Sequence, residues 1–376
     1  MTTPLPRPEI DEHGLLEYSV VYTDRALNHM SQKFQTALRE ISATLKQVYA
    51  AEHAAVIPGS GTSGMEAVAR QLARNEKCLI VRNGFFSFRW TQILETGDIA
   101  ADTHVFTARQ DDAAQAPFAP APIEEVAAAI AEYRPAVVFA PHVETASGIM
   151  LPDDYIKSLA DAVHAVGGLL VIDCIASGCI WLDMAKLGID VLISAPQKGW
   201  SGSPCCGLVM LNEAAYQKVQ ATESDSFTLD LKKWLQIMEA FENGGHAYHA
   251  TMPTDALLVL HEVMQEAEAI GFDELKNRQI ELGQKMRALL AAEGFASVAA
   301  AGFEAPGVVV SYTANPDIQN GKAFLNQGMQ IASGVPLQCG ERSDFSTFRL
   351  GLFGLDKLQN VERTVALFAE TLAKVK

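Results

Sequence analysis

The sequence predicts an α/β protein, with a large domain on a mostly parallel sheet and a smaller C-terminal α/β domain. Two observations lead there. Short apolar, β-branched runs such as Leu169-Leu-Val-Ile172 and Val191-Leu-Ile193, bounded by Gly and Asp, read as strands buried on both faces, and helical patterns separate them. Around Gly271 that alternation changes character. A chain of 376 residues is long enough for two domains. The expected division is an arm over 1–30, a large domain over 31–270 and a small domain over 271–376.

Taken in order, residues 31–50 place Phe34, Leu38, Ile41, Leu45 and Val48 at helical spacing behind Ser31, a good N-cap. A strand over Ala54–Ile57 runs into Pro58-Gly-Ser-Gly-Thr-Ser-Gly64 and an alanine-rich helix. Strand 78–83 precedes an aromatic helix entrance, Gly84-Phe-Phe-Ser-Phe-Arg-Trp90, and His104–Phe106 is a short strand. Helix Ile123–Tyr133, strand Ala136–Ala140 and a helix opening near Pro152 lead to the two central strands. Residues Ile180–Leu187 between those strands read as helical, which makes a βαβ unit.

Residues 201–207 read as a flexible turn, followed by strand Leu208–Leu211. Helices are expected over 213–220, 231–243 and 254–269. The small domain is read as helix 273–293, strand 307–312, helix 322–329, strand 348–352 and helix 357–374.

Net charge is −16 and basic residues form no cluster, which argues against nucleic acid or an anionic membrane as partner. No apolar run reaches the length of a membrane span, and Met1-Thr-Thr-Pro-Leu-Pro-Arg7 lacks a signal pattern, so a cytoplasmic protein is expected. Cys78, Cys174, Cys179, Cys205, Cys206 and Cys339 are scattered, with no CxxC pair; small core residues in a reducing compartment are expected, with Cys205-Cys206 a candidate for oxidation.

Candidate chemistry gathers at strand ends. Asp173 closes one central strand and Lys198 follows the other, so a carboxylate and an amine share one crevice at the carboxyl edge of the sheet. That pairing suits pyridoxal phosphate (PLP), held by the lysine as a Schiff base with the acid on its pyridinium nitrogen. The same residues also read as a solvated loop lysine and a strand-end cap. Ser60-Gly61-Thr62 at a helix start offers amides and hydroxyls to a phosphate, or is simply a cap. An aromatic of the 84–90 stretch stacks on a planar ring or packs in the core. His142, and the pair His246 and His249, have no further ligand at metal spacing, so no metal site is expected.

With these pieces in order, the chain resembles the class V aminotransferases of PLP fold type I, closest to the alanine–glyoxylate and serine–pyruvate branch. The resemblance covers about residue 28 to the C-terminus. It implies that Ser60, Gly61 and Thr62 bind the cofactor phosphate and that Phe86, in Asn83-Gly-Phe-Phe86, stacks on the ring. His142-Val-Glu-Thr145 matches a His-x-Glu-Ser/Thr motif with Thr145 near the cofactor, Asp173 the pyridinium partner and Ile175 the apolar residue against the ring. Gln197-Lys198 matches the pair holding the Schiff-base lysine. Tyr248-His-Ala-Thr251 matches a motif that reaches the phosphate of the neighbouring subunit's cofactor, implying a homodimer with shared sites. Phe348-Arg-Leu-Gly351 makes Arg349 the arginine that grips the substrate carboxylate.

Two stretches depart from the family pattern. The Gly-Pro-Gly-Pro turn that usually borders the substrate is replaced by Glu17–Met30, where Tyr22, Arg25 or Asn28 either contacts substrate or tethers an arm. The usual Pro-Pro-Gly becomes Pro204-Cys-Cys-Gly207. The expected activity is transfer of an amino group from a small amino acid to a 2-oxo acid such as glyoxylate or pyruvate. The alternative is a PLP lyase or cysteine desulfurase with Cys339 as a mobile catalytic thiol. A PLP-binding sensor would need a DNA-binding domain for which the chain has neither length nor charge.

Overall fold

The computed structural model describes residues 7–13 and 15–375. The first six residues of the expected arm lie outside that range. Seven strands form the main sheet: β1 (His53–Pro58), β2 (Lys77–Arg82), β3 (Asp102–Thr107), β4 (Val137–Pro141), β5 (Leu169–Asp173), β6 (Val191–Ser194) and β7 (Cys206–Leu211). Their order is β1-β7-β6-β5-β4-β2-β3. Only β7 is antiparallel to its neighbours, β1 and β6; the other pairings are parallel. All residues of β4, β6 and β7 are buried, as expected of strands covered by helices on both faces.

A second, antiparallel sheet contains β8 (Val308–Tyr312), β9 (Ala332–Ser333) and β10 (Thr347–Gly351), in the order β8-β10-β9. One core cluster draws on residues between Leu27 and Met264 and surrounds the large sheet. Another draws on Cys179 and on residues from Ala267 to Val375. A third cluster joins the two regions: Val143, Ala146 and Ala176, after β4 and β5, pack with Val308, Val310 and Tyr312 of β8. This seam carries β10 up to the carboxyl edge of the large sheet.

Three expected helices differ. The segment between β5 and β6 is helical only over Met184–Leu187, because Asp183 caps it by accepting the Lys186 N–H at 2.9 Å, four residues later than the pattern suggested. The helix expected over 322–329 ends at Leu325, and Gly328, at φ +77°, turns the chain back toward β9. The last helix is two, Leu355–Gln359 and Val361–Val375. Asn360 breaks it at φ −146°, ψ 84° and caps the second helix through the Arg363 N–H. The turn expected over 201–207 also ends early, since Cys206 opens β7 and both Cys205 and Cys206 are buried.

Candidate active site

The parallel strands deliver the candidate residues from their carboxyl ends, where the backbone leaves the sheet and frees side chains for a ligand. Register places Pro141, Asp173 and Ile193 level across β4, β5 and β6. Ser60, Gly61, Thr62, Phe86, Thr145, Asp173, Ile175, Gln197 and Lys198 all line one cavity, together with Met65, Arg89, Val143 and Ala176.

The anion cradle follows β1. Ser60 caps helix Gly61–Leu72 in a reciprocal box with Ser63, the two side chains bonding each other's backbone N–H at 3.4 and 3.2 Å. That arrangement leaves the Gly61 and Thr62 amides without intrahelical acceptors, at the positive end of a helix. Gly61 is held by contact: a Cβ there would lie 2.6 Å from Ile175 Cδ1. Arg89 donates from Nη1 to Thr62 Oγ1 at 3.0 Å. Its guanidinium also lies 5.2 Å from the Phe86 ring centroid.

Phe86 sits in the first turn of helix Phe85–Thr96, whose N-cap residue Gly84 offers no side chain. Glu144, from the loop after β4, takes over that task. Its carboxylate accepts the N–H groups of Phe86 (3.2 Å) and Ser87 (2.8 Å), the Ser87 hydroxyl (2.7 Å) and the Ala146 N–H (2.8 Å). Gly84 is needed for this approach, because a Cβ would lie 2.7 Å from Glu144 Cγ. Glu144 therefore sets the position of the aromatic wall. His142 is fully buried, with Nδ1 2.7 Å from Ser177 Oγ and its proton affinity pushed down to about 3, chiefly by burial. It is a neutral structural imidazole at neutral pH.

Asp173 is buried, and its Oδ1 accepts the Ile175 N–H at 2.9 Å. Among the described residues, Oδ2 has no hydrogen-bond donor. Burial, with a smaller push from Glu144, raises this carboxyl to about 7, against the opposing effects of that hydrogen bond and of Arg89. Lys198 is shifted the other way: burial first, then the nearby Arg349 cation, lower its proton affinity. The lysine shift is the direction a reactive amine requires, and the acid's is that of a buried carboxylate with no cation paired to it. Arg349, on β10, reaches the same region. It donates from Nε to Ser333 O (2.8 Å) and from Nη1 to Thr145 O (3.4 Å), 5.5 Å from the Phe86 centroid.

The donor set fits PLP. A helix-end cradle answers a phosphate, the Phe86 ring and Ile175 line the same cavity, and the free Asp173 oxygen answers a cationic ring N–H. Gln197 Oε1 is likewise buried without a hydrogen-bond partner. A family model, "Aminotransferase class-V", matches residues 2–351. The chain belongs to the class-V aminotransferases. Like other members it depends on PLP, and it is a transaminase of PLP fold type I. A 2-aminoethylphosphonate–pyruvate transaminase of Vibrio vulnificus (strain CMCP6) is 26% identical over 98% of this chain and 96% of that protein. The alanine–glyoxylate aminotransferase of Rattus norvegicus is 26% identical over 68% of this chain and 60% of that protein. The crystal structure of an alanine–glyoxylate aminotransferase from Nostoc sp. shares the fold at a TM-score of 0.77 and 19% identity, covering 92% of this chain and 88% of that one.

Some candidates of this class-V aminotransferase lie apart from the cavity. Tyr248 and Thr251 do not line it; Tyr248 is 52% exposed and its hydroxyl lies 3.0 Å from Thr251 Oγ1. His249 bonds the Phe227 carbonyl at 2.7 Å, and His246 packs edge-on against His29. In the 17–30 segment, the Tyr22 hydroxyl donates to Met252 O at 3.2 Å. Asn28 donates to Glu17 at 2.7 Å, and the Leu27 N–H to Asp255 at 3.0 Å. The bonds to Met252 and Asp255 tether the segment, and the one to Glu17 closes it on itself. Cys339 does not suit a mobile catalytic thiol: burial pushes it up to about 12, and Glu341 accepts the N–H groups of Leu337, Gln338 and Cys339.

Proposed function

We propose that this aminotransferase moves the amino group of a small donor carrying a carboxylate or a phosphonate onto pyruvate or glyoxylate. The observation that carries the reading is the convergence of Lys198, Asp173 and the 60–62 cradle on one cavity, with Arg349 beside it. The names of the relatives supply the two donor anions and the two acceptors.

PLP bound there supplies an aldehyde for amine exchange and a cationic ring that takes up the electron pair left when Cα loses its proton. Ser60, Gly61 and Thr62 hold its phosphate through hydroxyls and helix-end amides. Phe86 and Ile175 would flank the ring and exclude water, with Thr145 and Gln197 bordering it. Asp173 would answer the ring nitrogen's proton with its free oxygen. Lys198 would serve as general base for the Cα proton, a role its lowered proton affinity favours. Arg349 already uses Nε and one Nη1 proton on carbonyls, which leaves the other Nη1 proton and Nη2 as a fork for the substrate anion. Arg349→Lys keeps the charge and loses the fork, so steady-state kinetics should show donor KM rising about 10–100-fold with the cofactor spectrum unchanged.

A half-reaction screen tests the assignment. Loaded enzyme is mixed with alanine, serine, aspartate and 2-aminoethylphosphonate, and the visible cofactor band is followed. One of these donors should bleach the band and pyruvate or glyoxylate restore it; a loaded protein that exchanges with none of them contradicts the reading.

The same proposal includes a cytoplasmic homodimer with shared sites and a domain division near residue 270. Six unpaired cysteines support a reducing compartment. No helix among the described residues is long and apolar enough to cross a membrane. The exposed Tyr248–Thr251 pair, outside its own chain's cavity, supports donation to a neighbour. Co-expressing Lys198→Ala chains with Tyr248→Ala/Thr251→Ala chains should then recover up to about a quarter of wild-type activity, because a hybrid dimer holds one intact site. No recovery counts against shared sites.

A further inference from the structure

We propose that Phe353 is a positioning residue for Lys198: its ring face is where the Lys198 ammonium rests whenever that amine is not covalently engaged. The inference rests on Lys198 being the cofactor lysine. Lys198 borders a second cavity, of about 310 Å³, whose lining includes Gln197, Ser201, Glu266, Phe353 and Asp356. Its Nζ lies 5.2 Å from the Phe353 ring centroid, within cation–π range. Among the described residues, no carboxylate forms an ion pair with it.

The ring is built into place from both sides of the seam. A Cβ at Gly307 would lie 3.2 Å from Phe353 Cε1, one at Gly351 3.4 Å from Cδ2, and one at Gly178 3.6 Å from Cδ1. Three glycines, one after β5, one just before β8 and one ending β10, thus leave the space that the ring fills. The backbone beside it is tied to the lysine's own loop, since the Leu355 N–H donates to Ser201 Oγ at 2.8 Å.

An aromatic face attracts the ammonium and is nearly indifferent to the neutral amine. Phe353 therefore favours the proton-bearing form and draws it away from the cofactor side, against burial and the Arg349 cation. Asp173 lines the first cavity beside Lys198, and Glu266 and Asp356 line the second, so the test must change the ring's charge distribution alone.

The test follows PLP recombination with the full, cofactor-stripped chain against pH, because the neutral amine is the reacting form. The rate should rise through a midpoint set by Lys198. Phe353→Leu should lower that midpoint by about half a pH unit, a threefold loss of proton affinity. Stepwise ring fluorination at Phe353, which weakens the quadrupole at near-constant shape, should lower it progressively, and Phe353→Tyr should restore it. An unchanged midpoint in the fluorinated series overturns the proposal, and that series remains readable if Phe353→Leu fails to fold. If Lys198→Ala recombines as wild type does, the assignment of the lysine fails instead.

Discussion

Lys198→Ala should abolish the visible cofactor band and reduce transamination by about 10⁴-fold or more, because covalent anchoring and proton transfer are lost together. The fold should not suffer. Lys198 is a partly buried amine whose charge burial disfavours, so the alanine variant should melt no lower than wild type in the cofactor-free state. Small primary amines added to the variant should restore part of the rate, since they can take the proton that Lys198 no longer takes. A variant that keeps the band and more than a few per cent of the rate contradicts the assignment; absorbance and single-turnover assays read both.

Asp173→Asn should separate function from stability. In the loaded enzyme, kcat should fall about 10²–10³-fold with little change in KM, because the charge opposite the ring nitrogen acts on the electron-rich transition state. Equal losses in kcat and binding would count against that role. Without cofactor the sign reverses. Burial raises this carboxyl in the folded chain from its ordinary 3.8 to about 7. The folded state therefore binds the proton more tightly than the unfolded one. The resulting stability is complete below pH 3.8 and is lost as pH rises through 7. Asparagine does not ionise. Cofactor-free Asp173→Asn should thus out-melt wild type at pH 8, by at most about 4 kcal/mol, and the gap should close near pH 4. Thermal melts across that range check the direction. The acid is costly to the empty fold at neutral pH and above.

Strand ends were the legible part of this chain. Asp173 and Lys198 stood out because apolar runs ended just before polar chemistry, and a parallel sheet collects such ends at one edge. Helix Ile123–Tyr133 was marked by its own periodicity and falls where the pattern put it. What stayed hidden depends on contacts distant in sequence. Glu144 caps a helix 58 residues upstream through the Phe86 N–H, and no local pattern announces a cap supplied from another loop. Arg89 was visible only as part of an aromatic stretch; its spacing of one helical turn from Phe86 was the available clue. Phe353 follows the Phe-Arg-Leu-Gly motif closely, yet its partner is 155 residues away and the glycines around it come from three separate segments. Short elements were also missed: helix Pro316–Gln319 and the two-residue β9 are too brief to show a period.

The central claim is a covalent one, so the decisive measurement is chemical. Enzyme incubated with PLP is reduced with borohydride, digested and mapped by mass spectrometry. One predominant modified peptide is expected, carrying the reduced cofactor on Lys198 and spanning the stretch after β6. Cofactor spread over surface lysines, or fixed on a different lysine with Lys198 bare, would contradict it.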